Sequence, residues 1–255
     1  MVGVPVAGSP DLFRTRYERM LGALYQRELF GIRLGLVTTR RLLSRLGHPE
    51  RAFPALLVAG TNGKGSTSAL AFSILREAGY HTGLFTSPHL LDYRERIRVD
   101  GEAISREEML ALAEPLLPLF ERTGATYFEA ATALGFLHFA RRGVDVAVVE
   151  VGLGGRLDAT NVLPRPLGVV TDVDFDHQDR LGRTLAAIAG EKAGIIRRGG
   201  EVISGCRRPA AARVIRRAAR QRVARLTELD RAACYQVREC GPWGVRMTLR
   251  TASAD

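Results

Sequence analysis

A glycine-rich loop between an apolar strand and a helix is the feature that most restricts the fold of this chain. Ala55–Ala59 is a short apolar run that predicts a strand, and it leads directly into Gly-Thr-Asn-Gly-Lys-Gly-Ser-Thr at residues 60–67. A helix is predicted from Lys64 to about Ala78, where Gly79 ends it. Glycines let a backbone approach an anion closely, and a helix N-terminus favours negative charge. The segment is therefore interpreted as a phosphate-binding loop, the alternative being a glycine-rich turn that holds no nucleotide.

The loop departs from the usual phosphate-loop sequence at the position that serves the metal. Gly65 follows Lys64, where a serine or threonine normally supplies a hydroxyl ligand for magnesium. We therefore expect this ligand to come from another segment. Ser87 offers a hydroxyl just after the next predicted strand, Thr82–Phe85, although a Ser-Pro pair is by itself usually only a turn.

Lysine is rare in this chain, which has two lysines and 35 arginines. Lys64 lies in the glycine-rich loop, and Lys192 lies in Ala-Gly-Glu-Lys-Ala-Gly at residues 189–194. An ammonium group can wrap a phosphate as a point charge or lose its proton and react, whereas a guanidinium stays charged and planar. The two positions are therefore predicted to need an amine, unless both lysines survive there by chance.

Strands and helices alternate through most of the chain. Residues 12–46 are helix-prone, apolar runs at 144–151 and 168–173 predict buried strands, and residues 208–225 predict an amphipathic helix. Such alternation indicates an α/β fold with a three-layer, doubly wound, mostly parallel sheet, whose sites lie beyond the carboxyl ends of the strands. Alternating segments on either side of residues 241–244 predict a hairpin near the end of the chain.

Two further polar side chains follow predicted strands. Glu150 ends an apolar run, and a carboxylate there is costly to bury unless it pairs with a cation, in a salt bridge or at a metal. His177 follows the next buried strand, although a lone histidine is more often structural. On neighbouring strands the two could share a divalent ion. Gly152 and Gly154 suggest a dinucleotide fingerprint, but Leu157 stands at its third glycine position and argues against it.

The composition restricts the classes of function. A chain that is 46% hydrophobic and 25% charged is typical of globular proteins, and no apolar run is long enough to cross a membrane. The net charge of +10 comes from arginines spread over many predicted helices without an aromatic-interleaved basic motif, which disfavours a nucleic-acid partner. Three cysteines without metal-type spacing, and an N-terminus without a basic signal region, predict a cytoplasmic protein.

Five motifs occur in order and together resemble folylpolyglutamate synthase/dihydrofolate synthase, a branch of the Mur ligase superfamily. They are the glycine-rich loop, Thr-Ser-Pro-His at 86–89, Val-Glu-Val-Gly-Leu-Gly-Gly-Arg-Leu-Asp-Ala-Thr-Asn at 149–161, Asp-His at 176–177, and Leu-Gly-Arg-Thr with Ile-Ala-Gly-Glu-Lys-Ala-Gly-Ile-Ile at 181–196. The resemblance implies the fold of the Mur ligase central domain. It also implies that ATP and Mg²⁺ act as cofactors.

The resemblance assigns roles to matching residues. Lys64 would bind the β- and γ-phosphates of ATP, Ser87 and Glu150 would ligate one magnesium ion, and His177 would ligate a second. Lys192 would match a lysine that carbon dioxide carbamylates to a metal-binding carboxylate, which requires a neutral amine. Lys64, Lys192, Glu150 and His177 are thus the implied catalytic residues. The implied ATP-binding residues are Gly60, Thr61, Asn62, Gly63, Lys64, Gly65, Ser66 and Thr67. The implied substrate-binding residues are Thr86, Pro88, His89, Arg156, Asp158 and Asn161.

The implied activity is the ATP-dependent addition of L-glutamate to dihydropteroate or to a folate polyglutamate through an acyl phosphate. The implied protein is a monomer that binds these small molecules and neither nucleic acid nor a membrane. We expect a helical segment at residues 1–50 packed on the core, an ATPase core at 51–205, and a helix plus β-hairpin at 206–255 that form an incomplete end of the ATPase domain, with the family's carboxy-terminal domain absent. The alternatives are a Mur-type ligase for another carboxylate and a non-catalytic ATP-binding fragment.

Overall fold

An eight-stranded sheet with helices on both faces forms the body of the protein. The computed structural model describes residues 10–31 and 33–251. The prediction that the N-terminus has no signal region rests largely on residues 1–9, which lie outside the described residues. The helices are α1 (Pro10–Tyr25), α2 (Val37–Arg45), α3 (Lys64–Glu77), α4 (Arg106–Ala113), α5 (Leu117–Thr123), α6 (Tyr127–Arg142), α7 (Gln178–Leu181), α8 (Leu185–Lys192), α9 (Pro209–Gln221) and α10 (Leu229–Ala232). The strands are β1 (Ala55–Ala59), β2 (Thr82–Phe85), β3 (Ile97–Val99), β4 (Glu102–Ala103), β5 (Val146–Glu150), β6 (Leu167–Val170), β7 (Glu201–Ser204), β8 (Arg225–Glu228), β9 (Ala233–Gly241) and β10 (Gly244–Thr251).

The strand order of the main sheet is β4-β3-β2-β5-β1-β6-β7-β8, and β9 and β10 form a separate antiparallel hairpin. Strands β2, β5, β1, β6, β7 and β8 run parallel to one another, while β3 is antiparallel to β2 and β4 is antiparallel to β3 at one edge. From β1 the chain moves to β2 on one side and later to β6, β7 and β8 on the other. The predicted α/β fold with a doubly wound, mostly parallel sheet is therefore confirmed.

The central strands are covered on both faces, which explains why they read as continuous apolar runs. On one face, Val58, Leu84 and Val148 pack against Phe72 of α3. On the other face, alternate residues of the same strands join a larger core that includes Phe136 of α6. The sheet therefore forms the middle of three layers, with one core and one layer of helices on each face, as the alternation of elements predicted.

The N-terminal and C-terminal helix predictions needed correction. The helix-prone region at residues 12–46 forms two helices separated by a 3₁₀ turn, Gln26–Phe30, and by positive φ angles at Gly31 and Gly35. The helix predicted at 208–225 ends at Gln221, because Val223 takes a positive φ and the chain turns into β8. The apolar run at 168–173 keeps strand pairing only as far as Val170. The division of the chain at residues 50 and 205 stays a prediction.

The topology brings the predicted site residues to one edge of the sheet. Strand β1 lies between β5 and β6, and the carboxyl ends of all three reach the same edge. The connections that follow these strands therefore meet where the direction of winding reverses, which is where ligands bind in sheets of this kind. No helix in residues 10–31 and 33–251 is long and apolar enough to span a membrane.

His138 is a buried histidine on α6 that gives the fold a testable response to pH. Burial lowers its pKa to about 4, with Arg142 and Arg141 acting in the same direction and Glu108 opposing them. In the unfolded chain the pKa is near 6.5, so the unfolded state binds the proton first as the pH falls. This group therefore contributes stability above pH 6.5 that is lost between pH 6.5 and 4, about 3 kcal/mol in all.

The variant His138→Leu should lose less stability in acid than the unchanged chain, since it has no imidazole to protonate. Urea unfolding of both proteins at pH 7 and pH 4.5 measures the difference. Equal losses of unfolding free energy in the two proteins would show that the buried imidazole does not control the acid response.

Candidate active site

The glycine-rich loop joins β1 to α3 and presents the first turn of that helix to the crevice. Gly63 takes a φ of 80° immediately before the helix begins at Lys64. This left-handed conformation favours glycine and turns the backbone so that the N–H groups of the first helical turn point out of the loop. The expected strand, loop and helix are thus all present. The arrangement is one that binds phosphate.

The loop is tied to the segment that follows β6. The Thr61 backbone N–H donates to the Asp172 carbonyl at 2.7 Å, and the Thr61 hydroxyl lies 3.1 Å from both backbone atoms, N and O, of Asp174. The Thr171 hydroxyl donates to the Asn62 carbonyl at 2.7 Å. These contacts hold the loop in one conformation before any ligand arrives, which reduces the entropy cost of binding.

Gly60 is required for this close approach. A Cβ atom at this position would lie 1.8 Å from the Thr171 Oγ1 atom, a distance at which one of the two groups must move. The glycine therefore lets β1 and β6 converge at the mouth of the crevice. Any side chain at residue 60 would push the loop away from the segment that holds it.

Both lysines of the chain converge on one backbone oxygen. The Lys64 ammonium donates to the Gly60 carbonyl at 3.2 Å and to the Thr61 carbonyl at 3.1 Å. The Lys192 amine donates to the same Gly60 carbonyl at 2.7 Å. Two amines that lie far apart in the sequence therefore meet at the loop. Carbonyl oxygens leave their positive charge uncompensated, and an anion such as a phosphate would compensate it.

Lys192 is buried at the end of α8, with 1% of its surface exposed. Burial and, to a lesser extent, the charge of Lys64 lower its pKa to about 8, against the opposing effect of Asp176. Asp176 itself lies 3.4 Å from the His177 Nε2 atom. A substantial fraction of Lys192 is therefore neutral near physiological pH, and a neutral amine is a nucleophile.

Glu150 is a buried carboxylate at the end of β5 that forms no salt bridge within the described residues. Its Oε2 atom accepts a hydrogen bond from the Ser87 backbone N–H at 3.1 Å, and no arginine, lysine or histidine of the described residues forms an ion pair with it. Burial raises its pKa, although the Ser87 N–H, Lys64 and Arg96 oppose this shift. A carboxylate that is desolvated and unpaired is a site that a metal cation would stabilise.

Gly65, which stands where the usual phosphate-loop sequence has a serine or threonine, lies beside the Glu150 carboxylate. A Cβ atom built at Gly65 would lie 3.7 Å from the Glu150 Oε1 atom, so the carboxylate lies beside the first turn of α3. Strand β2 pairs with β5, with Phe85 opposite Val149, and this pairing places Ser87 next to Glu150. Ser87 thus follows the strand that neighbours the one ending in the carboxylate.

His177 is more exposed than the other predicted metal ligands. It is exposed, takes a φ of 43° and lies immediately before α7, and its Nε2 atom faces Asp176. It shares with Ser87 the wall of a cavity of about 510 Å³. In the described part of the chain, no three His, Cys, Asp or Glu side chains form a cluster able to hold a metal.

This cavity opens beside Ser87 and is largely apolar. Of the predicted substrate residues, Pro88 and Asp158 line it, whereas Thr86, His89, Arg156 and Asn161 do not. Sequence reasoning missed most of the wall, which includes Arg33, Leu34, Arg96, Tyr127, Phe128 and Leu153. The one local signal is Thr126, a residue type favoured at helix starts, which caps α6 immediately before an aromatic pair.

The predicted substrate residues between 156 and 161 also organise their own loop. The buried Asp158 carboxylate accepts hydrogen bonds from the Leu153 N–H at 2.8 Å and the Thr160 N–H at 3.0 Å. Arg156 forms a two-pronged ion pair with Glu191, the neighbour of Lys192, and Asn161 donates to the Arg156 carbonyl. These contacts anchor the loop to α8. A contact with substrate stays a prediction for all three residues.

Comparison with protein families decides the relationship that the motifs suggested. The family described as "Mur ligase middle domain" matches residues 58–237, which is more than half of the chain. The chain belongs to the Mur ligase middle-domain family. Within the Mur ligases, the predicted resemblance to folylpolyglutamate synthase/dihydrofolate synthase is confirmed by relatives and structures of that branch.

This Mur ligase domain is 42% identical over 244 residues to a dihydrofolate synthase/folylpolyglutamate synthase of Bacillus subtilis, covering 93% of the chain and 57% of the relative. It superposes on a folylpolyglutamate synthase from Thermotoga maritima with a TM-score of 0.86 and 35% identity, covering 93% of the chain and 55% of that structure. A folylpolyglutamate synthase complex with AMPPCP and folate gives a TM-score of 0.83 and 35% identity, with coverages of 92% and 59%. The chain thus spans somewhat more than half the length of these proteins.

Proposed function

We propose that this chain is the ATP-binding part of a ligase that adds L-glutamate to dihydropteroate or to a folate polyglutamate. The observation that carries the proposal is the convergence of Lys64 and Lys192 on the Gly60 carbonyl, beside the unpaired carboxylate of Glu150. Relatives that carry the names of these enzymes, one of them bound to AMPPCP and folate, support the same conclusion. The predictions of a cytoplasmic monomer without a nucleic-acid partner remain part of the proposal.

The phosphates of ATP would bind the loop at residues 60–67. The N–H groups of the first turn of α3 would face the phosphate oxygens, and Lys64 would move its ammonium from the loop carbonyls to the β- and γ-phosphates. A groove of about 420 Å³ lies beside the loop, between Asn62 and Arg207, and we assign the nucleoside to it. The helix dipole and the ammonium together would compensate the phosphate charge.

The site also fits magnesium. Mg²⁺ usually keeps several waters and binds one or two carboxylates together with substrate phosphates, so it does not need a cluster of protein ligands. The buried, unpaired Glu150 and the hydroxyl of Ser87 supply suitable oxygen donors. We propose His177 and carbamylated Lys192 as ligands of a second ion. When bound, the ions would supply charge neutralisation at the transferred phosphoryl group.

The protein would act mainly by positioning the reactants. The 510 Å³ cavity would hold the acid substrate with its carboxylate towards Ser87 and the γ-phosphate. A carboxylate oxygen then bonds to the γ-phosphorus while the bond to the leaving ADP oxygen breaks, which gives an acyl phosphate. The amine of glutamate attacks the acyl carbon, phosphate leaves, and the amine loses a proton as the amide forms. Lys64 would hold the charged phosphates in line during the first step.

An assay of the purified chain with ATP, Mg²⁺, 7,8-dihydropteroate and L-glutamate tests this function. We expect MgATP binding and ADP formation that depends on the pteridine substrate. Formation of ADP only with a different carboxylate would favour another Mur-type ligase. Measurable ATP binding without ADP formation under any of these conditions would favour a non-catalytic ATP-binding fragment.

Carbamylation of Lys192 is a separate prediction of the proposal. The amine nitrogen would bond to the carbon of CO₂ and release a proton to solvent, so the carbamate should increase as the pH rises from 7 to 8.5, through the pKa of about 8. Carbon-13 NMR with labelled bicarbonate measures the carbamate, and Lys192→Arg should lose this resonance. Short carboxylic acids should partly restore MgATP affinity to Lys192→Ala. A carbamate resonance that persists in both variants would contradict the assignment.

A further inference from the structure

Arg96 is a buried arginine that forms no direct salt bridge within the described residues, although its charge acts on Glu150 through space. It ends the 3₁₀ turn Tyr93–Arg96, has 6% of its surface exposed, and forms no ion pair with any described residue. The nearest acids in sequence are engaged elsewhere. Asp92 pairs with Arg94, and Glu95 accepts three backbone N–H groups of residues 90–92. A guanidinium that is desolvated in this way is costly unless a ligand supplies the counter-charge.

The guanidinium of Arg96 is held in a fixed orientation. Its Nε atom donates to the His89 Nδ1 atom at 2.8 Å, and its plane lies over the Tyr127 ring at 5.1 Å and near the Tyr93 ring at 5.9 Å. The His89 Nε2 atom lies 3.3 Å from the Tyr25 hydroxyl. The neutral and aromatic neighbours therefore fix the side chain without neutralising it.

Arg96 lines the same cavity as Ser87. Two buried acids of that wall are already occupied, because Glu129 accepts the Thr126 N–H at the start of α6 and Asp158 caps its own loop. The other arginine of the wall, Arg33, is exposed and donates to the Gly124 carbonyl. Of the two arginines that line the cavity, Arg96 is therefore the buried one. Because Arg96 and Ser87 line the same cavity, Arg96 lies near the end of the cavity where phosphoryl transfer would occur.

We propose that Arg96 binds the carboxylate of the acid substrate that the ligase activates, with His89 and the two tyrosines as positioning residues. This inference rests on the proposed function, since it names the group that orients the substrate in the same site. The two terminal nitrogens of a guanidinium match the two oxygens of a carboxylate, which fixes the plane and direction of the group as well as its charge. A carboxylate held there would present an oxygen towards the γ-phosphate beside Ser87.

Binding measurements on two ligands of similar shape that differ in one negative charge test the inference. The probes are pteroate and its carboxamide, which differ only in the carboxylate, titrated into the unchanged chain, Arg96→Gln, Arg96→Lys and the control Arg98→Gln. Arg98 lies two residues away, donates from Nε to the Glu95 carbonyl and does not line the cavity. Thermal unfolding establishes that each variant is folded, and the lysine variant keeps the charge if the glutamine variant does not fold.

We expect Arg96→Gln to weaken pteroate binding about 30-fold or more, and to change carboxamide binding less than about threefold. Arg96→Lys should lose part of the pteroate affinity, and Arg98→Gln should bind both probes as the unchanged chain does. Equal losses for the two probes, or no loss for pteroate, would overturn this inference while leaving the ligase proposal intact. Failure of the unchanged chain to bind pteroate although it binds MgATP would overturn both.

Discussion

Replacing Lys64 by arginine is expected to lower the affinity of the chain for MgATP about a hundredfold, or about 2.7 kcal/mol. The lysine ammonium lies 3.2 Å and 3.1 Å from the carbonyls of Gly60 and Thr61, inside a loop closed by contacts with the segment after β6. A guanidinium keeps the positive charge but is planar and larger, so it cannot occupy the same space beside the phosphates. Isothermal titration with MgATP measures the loss.

Arg76→Lys provides the matched control for this prediction. Arg76 lies in the last turn of the same helix and its guanidinium packs over the Phe72 ring, far along the helix from the loop. The control should bind MgATP with unchanged affinity. If Lys64→Arg also keeps its affinity, the charge alone would suffice, and the geometric role assigned to this lysine would be wrong.

Glu150→Gln is expected to change stability and ligand binding in opposite directions. The carboxylate is buried beside one N–H group and forms no salt bridge with a described residue, and burial raises its pKa, so the charged form is disfavoured. Removing the charge should therefore stabilise the ligand-free protein by about 1–2 kcal/mol. The same change should weaken MgATP binding about tenfold or more, because an oxygen ligand of the metal is lost. Without metal, ATP should bind the variant at least as well as it binds the unchanged chain.

The control for this pair of measurements is Glu50→Gln. Glu50 is also buried, but it has cationic partners in Arg51 at 3.6 Å and, when protonated, His48 at 2.9 Å. Its neutralisation should give no gain in stability and no change in MgATP affinity. Urea unfolding and titration with and without EDTA provide the data. A loss of stability in Glu150→Gln, with MgATP binding unchanged, would show that Glu150 has a structural role only.

The sequence was sufficient to predict the parts of the site that follow parallel strands. The loop after β1 and the carboxylate ending β5 lie at one edge of the sheet, because adjacent parallel strands end at the same edge. The rarity of lysine predicted that Lys64 and Lys192 have a special role. It did not predict that both would reach the Gly60 carbonyl, because that depends on how α8 packs beneath the loop.

Other features depended on packing that no local pattern specifies. Strand β8 is a polar edge strand, Arg225–Glu228, so it lacks the alternating apolar residues that identify a strand. The cavity wall combines segments about a hundred residues apart, such as those of Arg33 and Tyr127, which only the tertiary fold brings together. Arg96 is one of 35 arginines, and only the structure shows that it is buried without a salt bridge to any described residue.

A structure of the chain with Mn²⁺ and a non-hydrolysable ATP analogue is the most direct test of the central claim. Mn²⁺ takes oxygen ligands as Mg²⁺ does, and its anomalous scattering locates it without ambiguity. The account predicts triphosphate oxygens against residues 60–67, with Lys64 turned towards them, and a manganese ion within about 2.3 Å of a Glu150 carboxylate oxygen. A nucleotide bound elsewhere, or a metal bound away from Glu150 and Ser87, would contradict it.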